Sequence, residues 1–221
     1  MSVRLFRLIS TIFMLSVLSP ALQNVQAQAT NDNAVQIVGF GDSLMAGYQL
    51  AQQDGFTAQL QTALNAAGYK ATVANAGVSG DTTSGGLARL DWSVPDETQL
   101  VILELGANDA LRGIAPELSE NNLDQMLARL KERGIPVLLA GMVAPPNMGA
   151  DYAAKFNPLY QKLADKYELK LYPFFLEGVA ADKTLLLDDG MHPNPEGVKT
   201  IVTGILPMVK SMLDQESIDL N

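Results

Sequence analysis

Short apolar runs that end in glycine-containing polar turns constrain this chain more than any other feature of its sequence. Residues 35–40 form such a run before Gly41, and residues 100–105 form another before Gly106. Apolar runs of this length, without alternating polar positions, are typical of strands buried on both faces of a sheet. The pattern predicts five strands, at residues 35–40, 70–74, 100–105, 136–143 and 169–172.

Helical patterns alternate with these strands. Residues 56–67, 118–133 and 153–167 repeat apolar side chains at helical spacing. Asn194 is a candidate N-cap, and Pro195 suits the first position of a final helix. This alternation predicts a mainly parallel, five-stranded sheet covered on both faces, and right-handed crossovers then give a three-layer, doubly wound α/β/α fold.

The N-terminal segment has the pattern of a secretory signal. Arg4 and Arg7 precede an apolar run at residues 8–18, and small residues follow at the positions that a signal peptidase recognises, with cleavage after Ala27 or, alternatively, after Ala29. The run is shorter than the roughly 20 residues that span a bilayer, which predicts cleavage rather than a stable membrane anchor. We therefore expect a secreted protein, located in the periplasm where the cell has one.

The rest of the chain has the length of one domain. Cleavage after residue 27 leaves a short N-terminal segment at 28–34, a single domain at 35–217 and a C-terminal tail at 218–221. No linker, repeat or low-complexity block interrupts this domain. We expect it to act as a monomer.

Composition excludes several classes of function. The 221 residues include no cysteine and one histidine, so disulfides and thiol nucleophiles are absent and a zinc site is not expected. The formal net charge of −9 argues against binding the phosphate backbone of a nucleic acid. We therefore expect a small-molecule ligand and no metal or organic cofactor.

Polar clusters follow three of the predicted strands. Residues 41–44, 77–81 and 106–109 all lie where a strand ends, and in doubly wound folds ligands bind outside the carboxyl ends of the strands. The only histidine, His192, lies in the loop that leads to the last helix. One site at this edge of the sheet is able to gather all four segments.

These clusters contain the residue types of a serine hydrolase. Ser43 is the candidate nucleophile, His192 is the only available imidazole base, and Asp189 lies three residues before it, close enough to orient the ring. Two alternatives remain at this point. Ser43 is also a candidate helix N-cap, although Asp42 suits that position too, and Asp188 competes with Asp189 for the acidic position.

The same edge supplies candidate donors for an oxyanion. The backbone N–H groups of Ser43 and Gly80 and the side-chain amide of Asn108 follow different strands, and an oxyanion hole needs such converging donors. The alternative is that Gly80 is only a turn glycine and Asn108 only a turn amide.

Four blocks in this order resemble the conserved blocks of the SGNH (GDSL) hydrolases. They are Gly41-Asp42-Ser43-Leu44, Gly80, Gly106-x-Asn108-Asp109 and Asp189-x-x-His192-Pro193. Further segments are similar to the periplasmic arylesterase, thioesterase and lysophospholipase branch, and the resemblance covers about residue 35 to the final helix.

The resemblance implies a flavodoxin-like fold, a nucleophile at Ser43, a base at His192 and an acid at Asp189. It also implies oxyanion donors at Ser43, Gly80 and Asn108. Met45 and Ala107 depart from the pattern, since many relatives have a small polar residue and a second glycine there. Either departure is expected to act on the acyl pocket rather than on the chemistry.

We therefore predict a serine esterase or thioesterase that hydrolyses aryl esters, acyl esters, lysophospholipids or acyl thioesters through an acyl-enzyme. Apolar side chains in and after the polar turns are expected to line the substrate pocket: Leu44, Leu111, Ile114, Met142, Val143, Pro145 and Met148. Two alternatives differ in class. One is a non-catalytic module that binds a lipid or an acylated glycan, and the other is an acyltransferase or deacetylase acting on envelope polysaccharide.

Overall fold

The structure, a computed structural model, describes residues 34–180 and 182–219. The predicted signal peptide at residues 1–27 lies outside this range, as does most of the 28–34 segment, and both stay predictions. Within the described range, no helix combines the length and the apolar character needed to cross a membrane.

A parallel sheet forms the centre of the fold. Its strands lie in the order β2-β1-β3-β4-β5, and every neighbouring pair is parallel. The bounds are β1 Val35–Gly41, β2 Ala71–Gly77, β3 Leu100–Glu104, β4 Val137–Ala140 and β5 Lys170–Tyr172. All residues of β3 and β4 are buried, as expected for central strands covered on both faces.

Helices cover both faces of the sheet. The helices are α1 Ser43–Ala46, α2 Phe56–Ala66, α3 Thr83–Ser93, α4 Ala107–Leu111, α5 Pro116–Glu132, α6 Ala150–Phe156, α7 Leu159–Tyr167 and α8 Pro195–Asp219. Helix α2 packs against α8 on one face, while α3, α5 and α7 form a continuous layer on the other. Short 3-10 turns span Gln52–Asp54, Pro146–Met148 and Lys183–Leu185. The predicted three-layer α/β/α class is confirmed.

Two helical features differ from the sequence prediction. The single helix predicted at 153–167 is wrong, because α6 and α7 are separate and Pro158, which has no N–H, lies between them. Asn157 also lies between the two helices, and its side-chain oxygen accepts a hydrogen bond from the Ala144 N–H at 2.9 Å. Helix α3 was not predicted, because Gly85 and Gly86 lower its intrinsic helix propensity.

The ends of three central strands lie side by side. Gly41 at the end of β1 pairs in register with Gly77 of β2 and with Glu104 of β3. The polar turns that follow these strands therefore start from the same line across the sheet. This alignment places the serine turn, the Gly80 turn and the Asn108 turn at one edge.

Candidate active site

Ser43 occupies the first turn of a very short helix directly after β1. Asp42 is the N-cap of α1, and its carboxylate accepts a hydrogen bond from the Leu44 N–H at 3.0 Å. Gly77 allows this helix to approach β2 closely, since a Cβ there would lie 2.7 Å from the Cα of Ala46. Asp42 therefore holds the capping position, and the Ser43 hydroxyl is left for other partners.

A continuous chain of hydrogen bonds connects Ser43 to the loop before α8. Ser43 Oγ lies 2.8 Å from His192 Nε2, and His192 Nδ1 lies 2.6 Å from Asp189 Oδ2. Since an ionised carboxylate only accepts, Nδ1 carries the proton of a neutral imidazole and Nε2 accepts from the serine. The geometry is that of a nucleophile, a general base and an orienting acid.

Local hydrogen bonds hold Asp189 in its ionised form. Its Oδ1 accepts from the backbone N–H groups of Met191 at 2.9 Å and His192 at 3.0 Å. Burial alone raises the pKa of Asp189, but these N–H groups and the imidazole outweigh it and lower the pKa to about 2. The neighbouring Asp188 is exposed and makes no such contacts. The geometry therefore favours Asp189 over Asp188 as the orienting acid.

Tyr48 is a neighbour of the site that the sequence did not indicate. Its ring centroid lies 4.4 Å from that of His192, with the planes tilted by 36°. The ring covers one side of the imidazole and limits its reorientation. Two signals could have identified it: Tyr48 lies just after the serine turn, and it belongs to the 41–48 segment that resembles the arylesterase branch.

The candidate oxyanion donors converge on the same edge. Across the described chain, the N–H groups of Ser43 and Gly80 donate to no protein acceptor. Gly80 has a φ of +83°, a left-handed conformation that favours glycine. The Asn108 amide donates one of its hydrogens to Asp42 Oδ2 at 3.0 Å, which fixes its orientation and leaves its second N–H available.

Two buried carboxyl groups lie behind the serine. Asp42 and Glu104 are both inaccessible to solvent, and the Asp42 N–H lies 3.4 Å from Glu104 Oε2. Burial raises the pKa of Asp42 to about 6, although hydrogen bonds from Leu44 and Asn108 oppose the shift. Burial and then the charge of Asp42 raise the pKa of Glu104 well above its usual value. Both carboxyl groups therefore favour the protonated form more than an exposed carboxyl group does.

Asp109 connects the Asn108 turn to two helices. Its carboxylate accepts from the Thr83 N–H at 2.8 Å, from the Thr83 hydroxyl at 2.6 Å and from the Ser119 hydroxyl at 3.0 Å. Asp109 thus joins α4 to the start of α3 and to α5. It acts in support of the edge, since all its contacts are with structural groups.

The residues predicted to line the substrate pocket differ in exposure. Leu44 and Met142 are buried in the core, whereas Leu111 and Val143 are exposed. Ile114, Pro145 and Met148 are half-buried. Their two loops meet, because the Tyr152 hydroxyl from α6 donates to the Ile114 carbonyl at 2.7 Å.

The two departures from the family pattern have different positions. Met45 is fully buried, and its Sδ fills the space where a Cβ on Gly39 would lie. Its contribution is therefore to packing beneath the serine turn. Ala107 is half-buried at the start of α4, directly before Asn108.

No group of three or more histidine or acidic residues in the described ranges is arranged to hold a metal ion.

Comparison with known proteins gives consistent matches. Residues 40–199 match the model of the GDSL-like lipase/acylhydrolase family. The arylesterase of Vibrio mimicus is 41% identical over 76% of this chain and 84% of that protein. Esterase TesA of Pseudomonas aeruginosa is 40% identical over 78% of this chain and 87% of that protein. The crystal structure of AlinE4, an SGNH-hydrolase family esterase, is 46% identical with a TM-score of 0.69, over 82% of this chain and 97% of that one.

Proposed function

This chain belongs to the GDSL-like lipase/acylhydrolase family, and we propose that it hydrolyses carboxylic esters and thioesters with Ser43, His192 and Asp189 as its catalytic triad. The observation that carries the proposal is the unbroken hydrogen-bond chain from Ser43 Oγ through His192 to Asp189. The names of the relatives, arylesterase and esterase, support substrates that are small carboxylic esters.

Acyl transfer to the enzyme begins at the serine. His192 Nε2 takes the Ser43 proton as Oγ bonds to the substrate's carbonyl carbon. The Ser43 N–H, the Gly80 N–H and the free N–H of Asn108 stabilise the carbonyl oxygen as it becomes negative. His192 then gives its proton to the departing alcohol or thiol, which leaves an acyl group on Ser43.

Hydrolysis of the acyl-enzyme repeats these steps with water. His192 removes a proton from water as the water oxygen attacks the acyl carbon, and the same donors hold the second oxyanion. The proton then returns to Ser43 Oγ as the carboxylic acid leaves. Asp189 stays ionised throughout and stabilises the imidazolium that forms twice in each cycle.

A p-nitrophenyl ester series from acetate to long acyl chains tests the proposal. Replacing Ser43 with Ala is expected to lower kcat/KM on the order of a thousandfold or more, since it removes the nucleophile but not the fold. The matched control is Ser211→Ala, which removes an exposed serine hydroxyl on α8. The chain-length optimum of the active protein measures the depth of its acyl pocket.

Other outcomes identify the alternatives. Binding of an acylated ligand without turnover of any ester, by protein shown to be folded, favours the non-catalytic module. Turnover that needs a polysaccharide acceptor favours the acyltransferase. Full activity in Ser43→Ala contradicts the serine mechanism itself.

Export is a further part of the proposal. Cleavage after Ala27 or Ala29 would release a single domain at residues 35–217 into the periplasm or the medium. Intact mass spectrometry of the protein from the periplasmic fraction distinguishes the two cleavage positions. Recovery only as the uncleaved chain in the membrane fraction contradicts export by this route.

A further inference from the structure

Arg89 of α3 is a buried cation at the active-site edge of the sheet. Only 6% of the residue is exposed, and its guanidinium lies 4.0 Å from the centroid of the Phe40 ring. Its Nε donates to Asp81 Oδ2 at 2.6 Å. Its Nη2 donates to the Gly41 carbonyl and its Nη1 to the Ala76 carbonyl, both at 2.8 Å. A buried arginine with this many fixed acceptors holds its neighbours in one geometry.

A fourth acceptor, the Ser93 hydroxyl at 3.4 Å, lies on α3 itself, whereas these three belong to three different parts of the site. Gly41 ends β1 just before the serine turn, Ala76 lies near the end of β2, and Asp81 directly follows Gly80. One planar guanidinium therefore relates the position of the nucleophile's strand to the position of the Gly80 turn. The Val78 N–H also donates to the Gly41 carbonyl at 3.0 Å, which extends the same connection.

The Gly80 turn has few other restraints. Val78 and Ser79 are exposed, and the turn is closed by the Asp81 N–H, which donates to the Val78 carbonyl at 3.0 Å. Two other side chains contact the turn: exposed Arg112 donates to the Gly80 carbonyl at 2.8 Å, and the Asn75 side-chain oxygen accepts from the Gly77 N–H at 2.9 Å. The position of the Gly80 N–H thus depends strongly on where Asp81 is held.

We propose that Arg89 and Asp81 form a positioning pair that sets the Gly80 N–H against Ser43 and so completes the oxyanion hole. The proposal rests on the proposed function, in which Gly80 is an oxyanion donor. Neither residue touches the reacting atoms. Their effect is on geometry, and a misplacement of about 1 Å in a catalytic group is enough to cost about a hundredfold in rate.

Variants of Asp81 test the pair better than variants of Arg89. Loss of Arg89 leaves a half-buried carboxylate and two strand-end carbonyls without their arginine donor, so such a variant is at risk of not folding. In Asp81→Ala, Arg89 keeps its bonds to Gly41 and Ala76. Asp81→Asn keeps an acceptor for the arginine but loses the charge, and it serves as the conservative variant.

The matched control is Asp91→Ala on α3, the helix that carries Arg89. Asp91 forms an exposed ion pair with Arg129 at 3.0 Å. Asp81→Ala and Asp91→Ala each remove an aspartate from an Asp–Arg ion pair that involves α3. Only the Asp81 pair includes a residue next to Gly80.

The measurements are kcat, KM, Tm, the affinity for a trifluoromethyl ketone and the affinity for the carboxylate product. The ketone adds to Ser43 and places an oxyanion among the donors, whereas the product does not require it. We expect Asp81→Ala to lower kcat about tenfold to hundredfold and to lower the affinity for the ketone by the same factor. KM and product affinity of Asp81→Ala stay within about twofold of wild type. Asp81→Asn loses less kcat and less ketone affinity than Asp81→Ala, and Asp91→Ala matches the wild type in both.

Two results would overturn the positioning pair. One is wild-type kcat and ketone affinity in Asp81→Ala. The other is an equal loss of ketone affinity, product affinity and Tm, which indicates a structural role alone. Ser43→Ala is measured in parallel, because full turnover in that variant rejects the proposed function, whereas its inactivity beside an active Asp81→Ala rejects only the pair.

Discussion

Two acidic groups at the active-site edge of the sheet have pKa values that are shifted in opposite directions. Asp189 lies in the loop before α8, with 29% of its side chain exposed, and three N–H donors lower its pKa to about 2. Glu104 lies at the end of β3, fully buried, with one weak donor at 3.4 Å and with Oε1 unpartnered. Burial and the charge of Asp42 raise its pKa well above the usual value.

The difference shows that the count of hydrogen-bond donors and the access of water decide the direction in which each pKa is shifted. In the proposed mechanism, the ionised form of Asp189 stabilises the imidazolium of His192. The raised pKa of Glu104 favours its neutral form, which adds no negative charge next to Asp42.

Replacing Asp189 with Asn tests the carboxyl group whose pKa is lowered, and it is expected to have the largest effect on kcat. An asparagine amide presents a donor to His192 Nδ1 and favours the wrong imidazole tautomer, so kcat falls by about 10³–10⁴-fold with KM little changed. Steady-state kinetics on p-nitrophenyl esters measures the loss. Asp188→Asn is the matched control and stays near wild type. Equal losses in the two variants would contradict the assignment of Asp189.

Replacing Asp42 tests the residue that contacts both the α1 backbone and the Asn108 amide. Asp42→Ala removes the acceptor that fixes the Asn108 amide and is expected to lower kcat by about a hundredfold. It also removes the α1 N-cap, which lowers the free energy of unfolding by about 1 kcal/mol. Ester kinetics and urea unfolding measure the two effects separately.

Asp42→Asn separates them further. Its side-chain oxygen still caps the Leu44 N–H, while its amide faces the Asn108 amide donor to donor. Stability is therefore expected to remain and kcat to fall by about tenfold or more. Full activity in Asp42→Asn would show that Asp42 acts only as a cap.

Replacing Glu104 with Gln tests the raised pKa of Glu104 through the pH dependence of stability. As the pH rises above the ordinary glutamate pKa of 4.5, the unfolded chain releases this proton while the folded chain keeps it, so the wild type loses stability with rising pH. The variant has no such loss. Its Tm relative to wild type is expected to rise from pH 4 to pH 8 by at least about 2–4 °C, the shift for about 1 kcal/mol in a chain of this size.

Glu132→Gln, an exposed glutamate at the end of α5, controls for the change of residue type. Its Tm difference from wild type stays constant with pH. A constant difference for Glu104→Gln as well would mean that Glu104 is already ionised in the folded protein.

The smallest expected effect is the acid loss of the Asp189 contribution. Because the folded pKa is lowered from 3.8 to about 2, this group stabilises the fold above about pH 4, and the contribution disappears as the pH falls through about 2. The partly exposed pair is screened by solvent, so the contribution is under about 1 kcal/mol. Thermal unfolding of wild type and Asp189→Asn from pH 5 to pH 2 is expected to converge, and parallel curves would contradict it.

The fold and much of the site could be predicted because each depends on local pattern. Buried strands next to helices follow from hydrophobic periodicity, and the serine, asparagine and histidine turns follow the ends of such elements. The broken helix was missed although Pro158, which has no N–H, is a local signal for the break. Helix α3 was missed because tertiary packing stabilises a segment whose glycines have low helix propensity. Glu104 had one signal, an acid at the end of an apolar strand. Arg89 lies in the segment Gly86-Leu87-Ala88-Arg89-Leu90, which resembles the arylesterase branch, but nothing in the sequence showed which groups it contacts.

The sequence by itself determined the strand–helix alternation, the parallel sheet and the residue types at its carboxyl edge, because these depend on the spacing of apolar and turn residues along the chain. Tertiary structure alone decided that Ser43 meets His192 across 149 residues of chain at 2.8 Å. It also decided that Arg89 connects two strand ends and that burial raises the pKa of Glu104. Distances and pKa shifts of this kind depend on packing and on the exclusion of water, which no single segment of the sequence contains.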